Sequence, residues 1–161
     1  YLVPEDISGD DIVEELTVHG VELFFNYVYP LKPEESRDLN KFNYGLTKKY
    51  KNMVAFGSLH FLNENKVDIA KEAISDLGLL GLKFHPSVQR FYPWDKGMFP
   101  VYEFMSSAKK PIVFHTGYDD FYHWEMPPPS MEIILREFPE LSVVFSHLFF
   151  PRLKDAFSLL E

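Results

Sequence analysis

Apolar positions along this chain alternate between a helical period and short, nearly continuous runs. After Ser8 and Asp10, either of which can cap a helix, Ile12, Val13 and Leu16 recur at helical spacing until Gly20, a natural stop. The run "VELFFNYVY" (21–29) is rich in strand formers. Pro33 followed by Glu34 and Glu35 predicts a helix start, and that helix extends to about Tyr50. "MVAFGSLHF" predicts a second strand, and Val67, Ala70, Ile74 and Leu77 mark the apolar face of a helix that stops before Gly78. The pattern then repeats. "LLGLKFH" is followed by the helical face Val101, Phe104, Met105 and Ala108, "PIVFH" by Met131, Ile134, Leu135 and Phe138, and "LSVVFSH" by Leu153, Ala156 and Leu160.

The predicted order is one helix followed by five strand–helix units. Near-continuous apolar strands alternating with helices predict an α/β fold with a parallel, helix-covered sheet, which is either doubly wound or a β/α barrel. The histidines separate the two. His60, His85, His115 and His147 each fall at the carboxyl end of a different predicted strand, at intervals of 25, 30 and 32 residues. In a barrel such side chains emerge on one rim and converge on one pocket. Alternation places Val113 with His115 on the inner face, Ile112 and Phe114 toward the helices, and Val143 and Phe145 on the same face as His147.

Composition narrows the chemistry. The 161 residues are 46% hydrophobic and 25% charged, the balance of one globular domain over 1–161. A net charge of -8 without a basic block argues against a nucleic-acid partner, so a small-molecule substrate is expected. No apolar run reaches membrane-spanning length, so no membrane partner is expected. The absence of cysteine removes disulfides, thiolate ligands and a cysteine nucleophile, and suits a cytoplasmic location. A first residue that is Tyr1 rather than Met reads as a processed or excised chain, and a homo-oligomer is left open.

Imidazoles on adjacent strands suit zinc, iron, manganese or a similar divalent ion. A histidine at a strand end is also often just a hydrogen-bonded structural residue. For His60 the two readings balance; for His115 and His147, each ending an apolar strand before a turn, function is the better one. His19 and His123 read as solvated or loop residues. Lys83, two residues before His85 on the same strand face, is a candidate for carbamylation or for binding an anionic substrate; the competing reading pairs it with Asp95 or Asp119 at the rim. Arg90 suits a substrate carboxylate or plain solvent exposure, while Phe91, Tyr92 and Trp94 pack their loop. No G-x-S-x-G elbow, P-loop or dinucleotide fingerprint is present.

Taken in order, "GSLHF", "GLLGLKFHPSVQRFYPWD", "MFPVYEFMSSAKKPIVFHTG" and "FPELSVVFSHL" make the chain resemble the amidohydrolase superfamily, in its amidohydrolase-related (amidohydrolase 2) branch. The resemblance implies a distorted (β/α)8 TIM-type barrel with a divalent metal, usually zinc, at its carboxyl rim. It makes His115 the fifth-strand metal ligand and His147 the sixth-strand catalytic histidine that activates water or orients substrate. It leaves Lys83 and His85 to substrate binding or structure. On this register the chain covers strands two to six, and the first, seventh and eighth strands, with a histidine pair and an aspartate, fall outside it. "SHLFFP" departs from the glycine-containing turn usual after the sixth-strand histidine. The activity implied is metal-dependent hydrolysis of a small-molecule amide, ester or lactone. The alternatives are a metal-dependent decarboxylase of an unsaturated or aromatic acid, and a non-catalytic barrel remnant.

Overall fold

A computed structural model describes residues 7–117, 120–124 and 129–159. Asp119 and Leu160, singled out in the sequence, lie outside the described residues. Helix α1 (Gly9–Val18) starts at Ser8, whose hydroxyl accepts from Asp11 N–H while the Asp11 carboxylate accepts from Ser8 N–H, a reciprocal cap. Strand β1 (Phe24–Asn26) pairs in parallel with β2 (Met53–Ala55). Between them a 3-10 turn at Pro33–Glu35 leads into α2 (Ser36–Lys49). Strands β3 (Leu82–Phe84), β4 (Ile112–His115) and β5 (Val143–Ser146) form a second parallel ladder, which a bridge between Gly57 and Leu82 joins to the first. The strands therefore follow one another in chain order. A doubly wound sheet reverses its order at a switch point, whereas sequential order is that of a barrel wall.

Helices α3 (Lys66–Lys71, prolonged by a π turn to Asp76), α5 (Phe99–Ser107) and α6 (Pro129–Glu137) follow β2, β3 and β4, and a short α7 (Leu153–Phe157) follows β5. The core lies on the helix side of the wall, where Leu82, Phe84, Ile112 and Phe114 meet Val101, Tyr102, Met105 and Ile134. An unpredicted turn of helix, α4 (Pro86–Gln89), begins immediately after β3; proline tolerates a first helical turn because its missing N–H has no partner to lose there.

The strands are shorter than their apolar runs. Beyond β2 the chain stays extended, but α2 side chains replace a neighbouring strand: Asn43 donates to Phe56 O at 2.6 Å, and Asn40 both donates to Ser58 O and accepts from Ser58 N–H at 2.8 Å. At the start of β3, a Cβ on Gly81 would stand 2.3 Å from Pro111 O, so only glycine allows this approach. No helix of the described residues is long and apolar enough to cross a membrane.

Candidate active site

Strand register fixes which side chains share the inner face. Leu82 and Phe84 go to the core, leaving Lys83 and His85 on the other side, and β4 places Val113 and His115 beside them. The rings of His85 and His115 stack with centroids 3.8 Å apart and planes 14° from parallel. His115 meets His147 edge to face at 4.6 Å and 60°. Three imidazoles thus line up across the carboxyl ends of β3, β4 and β5, the convergence expected from their spacing.

His147 arrives there by a different route from the one alternation predicts. Val143 and Phe145 pack on the helix-side core, while Val144 and Ser146 lie on the inner face opposite Val113 and His115. Continued alternation would send His147 outward with Val143 and Phe145. Instead the strand ends at Ser146, and His147, Leu148 and Phe149 take left-handed backbone conformations at φ 68°, 46° and 55°. Each such non-glycine residue costs on the order of 1–2 kcal/mol. Thr116 holds the turn: its hydroxyl donates to Ser146 O at 2.6 Å and accepts from Phe149 N–H at 3.2 Å, and Phe149 is buried against Phe145. Gly117 leaves room for the ring pair, since a Cβ there would lie 3.2 Å from His147 Cβ and 3.6 Å from His115 Nε2.

Lys83 is only 5% exposed. Its ammonium crosses Val113 to donate to Ser146 Oγ at 3.3 Å and lies 5.5 Å from the centre of the Tyr27 ring. No carboxylate among the described residues pairs with it; Asp95 accepts from Tyr92 N–H instead. Desolvation pulls the Lys83 pKa down to about 8. His85, equally buried, is brought down to about 4, first by desolvation and then by the Lys83 charge, so it is neutral at neutral pH. Its Nδ1 is buried with no hydrogen-bond partner among the described residues, its backbone N–H donates to Gln89 Oε1, and Tyr29 and Tyr122 close around the ring at 5.1 and 5.3 Å.

The remaining candidates lie apart from this row. His60 is a turn residue: its N–H donates to Ser36 Oγ and Asn63 Oδ1, and its Nδ1 accepts from Leu62 N–H. His19 is exposed beside Glu15, and His123 is exposed. Arg90 is exposed, donates to Tyr122 O at 2.9 Å and covers the Trp124 ring at 5.5 Å. Tyr92 is stacked between Trp94 and Trp124, so Arg90 and these aromatics fasten segment 120–124 to the loop after β3 and set Tyr122 against His85. Ser146, Tyr27, Tyr122 and Gly117 escaped the sequence reading. The first was hidden by the wrong strand parity and the others by having no motif of their own.

Whether a divalent ion fits is decided by ring planes, because imidazole lone pairs lie in the plane of the ring. The near-parallel planes of His85 and His115 do not converge on one ion, whereas those of His115 and His147 cross. Among the described residues no group of three or more His, Cys, Asp or Glu is placed to hold a metal.

Residues 46–161 match the family model described as amidohydrolase. This chain belongs to the amidohydrolase family. Amidohydrolases of this family are in general metal-dependent. Solved structures agree on the fold. An uncharacterised TIM-barrel protein from Bordetella bronchiseptica superposes with a TM-score of 0.76 at 21% identity, over 94% of this chain and 55% of its own. The 5-carboxyvanillate decarboxylase of Sphingomonas paucimobilis gives 0.68 at 15% identity over 89% and 52%, and the 4-oxalomesaconate hydratase of Rhodopseudomonas palustris 0.61 at 15% over 86% and 47%. No curated protein shows a significant match to the chain. The amidohydrolase chain described here is thus an incomplete TIM-type barrel that spans about half the length of these structures.

Proposed function

We propose that this chain carries the histidine side of the active site of a metal-dependent hydrolase that acts on a small-molecule amide, ester or lactone. The observation that carries this reading is the crossing pair His115 and His147 at the ends of adjacent parallel strands, 4.6 Å apart. His115 would hold the ion, zinc being the expected metal, with further ligands from segments outside the chain. When bound, such an ion supplies Lewis acidity, bringing the pKa of a water toward about 7 and polarising a substrate carbonyl. His147 would take the proton from that water or donate to the developing oxyanion. His85, neutral and stacked face to face, fixes the plane of the His115 ring. Lys83 faces the substrate from the inner wall, and Arg90 acts on the site through Tyr122. The absence of cysteine suits a cytoplasmic enzyme.

The test is the metal content of the purified full-length protein. About one equivalent, lost together with activity on chelation and lowered by His115→Ala, is expected. Far less than one equivalent, with activity indifferent to chelators, overturns the proposal.

A second reading, decarboxylation of an unsaturated or aromatic acid, is favoured by the buried Lys83 cation on the inner face, which no carboxylate of the described residues pairs. Structural neighbours that include a decarboxylase and a hydratase add to it. Release of CO2 rather than a hydrolytic product selects it.

A further inference from the structure

We propose that Gln89 is a positioning residue for the imidazole row: its side-chain amide is inserted as one rung between β2 and β3 and sets how far their carboxyl ends stand apart. The inference rests on that row being the reactive side, as in the function proposed above, and says what holds the row in place.

The ladder between the two strands stops early. Gly57 N–H donates to Gly81 O at 2.9 Å and Lys83 N–H donates to Gly57 O at 2.8 Å, the two bonds that one residue of a parallel pair makes with its neighbour. Repeated two residues on, this pattern calls for Leu59 N–H on Lys83 O and for His85 N–H on Leu59 O. Neither bond is made. In place of the first, Ser58 Oγ donates to Lys83 O at 2.6 Å. In place of the second, Gln89 Oε1 accepts from His85 N–H at 3.0 Å while Gln89 Nε2 donates to Leu59 O at 2.9 Å. One amide thus stands between the two groups that would otherwise bond each other, and it leaves both paired.

The sequence delivers Gln89 to this place. Pro86 starts α4 directly after β3, and one helical turn brings residue 89 back to His85, whose carbonyl accepts from Gln89 N–H at 2.9 Å. Gln89, His85 and Leu59 are 3%, 5% and 0% exposed, so these bonds lie where an unpaired amide is costly. Within the wall β2 has β1 and β3 as neighbours, and β3 has β2 and β4.

Spacing is what the insertion changes. A direct rung holds N and O about 2.9 Å apart. Two bonds in series, with an amide between them, hold Leu59 and His85 wider. On its other edge the end of β2 is held by Asn43 and Asn40, which take Phe56 and Ser58, and the chain then turns off at His60. His85 stays with β4, its ring face to face with His115 at 3.8 Å. Closing the rung directly would draw the end of β3 toward β2 and pull that face away.

The test is NMR of the purified full-length protein, stripped of metal by a chelator. The readouts are couplings across hydrogen bonds, amide exchange and the ring signals of His115. Wild type is expected to couple the His85 amide to the Gln89 side-chain carbonyl and to show His115 ring protons shifted upfield by the stacked ring. Gln89→Ala makes room for the direct rung, so the His85 amide should couple to the Leu59 carbonyl and stay protected while the upfield shift of His115 is lost. Gln89→Met keeps the volume and offers no amide. There the His85 amide should exchange about 5- to 10-fold faster, the loss of one hydrogen bond, while His115 keeps its shift. Protection and stacking thus respond in opposite senses to the two variants, which no general loss of stability produces. Tyr102→Phe, which strips the buried Pro93 carbonyl of its donor elsewhere in the core, should move neither. A Gln89→Ala protein that keeps the His115 shift, or a Gln89→Met protein that loses it, overturns the proposal, and the methionine result decides alone where the alanine variant does not fold. The two proposals fail separately: a protein that never holds metal but shows this crossed pattern loses only the function above, and a metal-holding protein whose row ignores both variants loses only this one.

Discussion

Replacing Lys83 by methionine keeps the aliphatic stem on the wall and removes a buried ammonium that has no carboxylate partner among the described residues. Burial lowers the pKa from 10.5 to about 8, so the folded chain gives up the proton more readily than the unfolded chain does. At about 1.36 kcal/mol for each pH unit, the charged form costs the fold about 3 kcal/mol at pH 7. The sign follows from proton counting. Between the two pKa values the unfolded state holds more protons, so the stability of wild type rises with pH through that window, and at pH 10 only about 1 kcal/mol of the cost remains. Methionine also forfeits the bond to Ser146, worth about 1 kcal/mol. Lys83→Met should therefore be more stable than wild type by about 2 kcal/mol at pH 7 and close to equal at pH 10. Urea unfolding at the two pH values measures this, and the pH 7 gain corresponds to a midpoint shift of about 1 M. A variant that is less stable than wild type at pH 7, or a difference that does not change with pH, refutes the description of Lys83 as an unpaired buried cation.

Three other outcomes are expected. His85 is neutral in the fold, with a pKa of about 4 against an ordinary 6.5, so the unfolded chain takes up the proton first and stability falls by up to about 3 kcal/mol as pH drops from 6.5 to 4; His85→Phe, which keeps the stack, should flatten that slope in acid-titration melts. Asn40→Ala strips both Ser58 backbone groups of their partner in a buried place and should cost about 2–4 kcal/mol by thermal or urea unfolding. Leu148→Ile conserves volume at a position that is 52% exposed but puts a β-branched side chain at φ 46°; a loss of about 1–2 kcal/mol together with a lower kcat is expected, because the same turn aims His147.

Much of the fold was legible in the sequence because each strand–helix unit carries its own signals. The Ser8 cap, Pro33 before α2, and the helical faces around Ala70, Met105 and Ile134 are local, and each led to the element observed. Strand length was not legible. A run such as residues 21–29 reports what can be extended, whereas the ladder ends where a partner ends, at Asn26 for β1. The inner placement of Lys83, His85 and His115 followed from period two, since β3 and β4 run straight to their ends. His147 reached the site in spite of its parity, through three left-handed residues for which no glycine in "SHLFFP" prepared the reader. Arg90 was read as a clamp for substrate or as a solvent-exposed residue; it is exposed, and its bond to Tyr122 O reaches a segment 32 residues away, which no local pattern shows.

By itself, then, the sequence determined that parallel strands deliver histidines to one rim, because hydrophobic period and strand polarity are local properties that parallel pairing carries unchanged from one unit to the next. The tertiary structure alone decided which of those histidines meet, which way His147 turns, and that Lys83 spans a strand to reach Ser146 with no counter-charge among the described residues. Those facts depend on register between strands and on what neighbouring elements leave unpaired, which no single segment encodes.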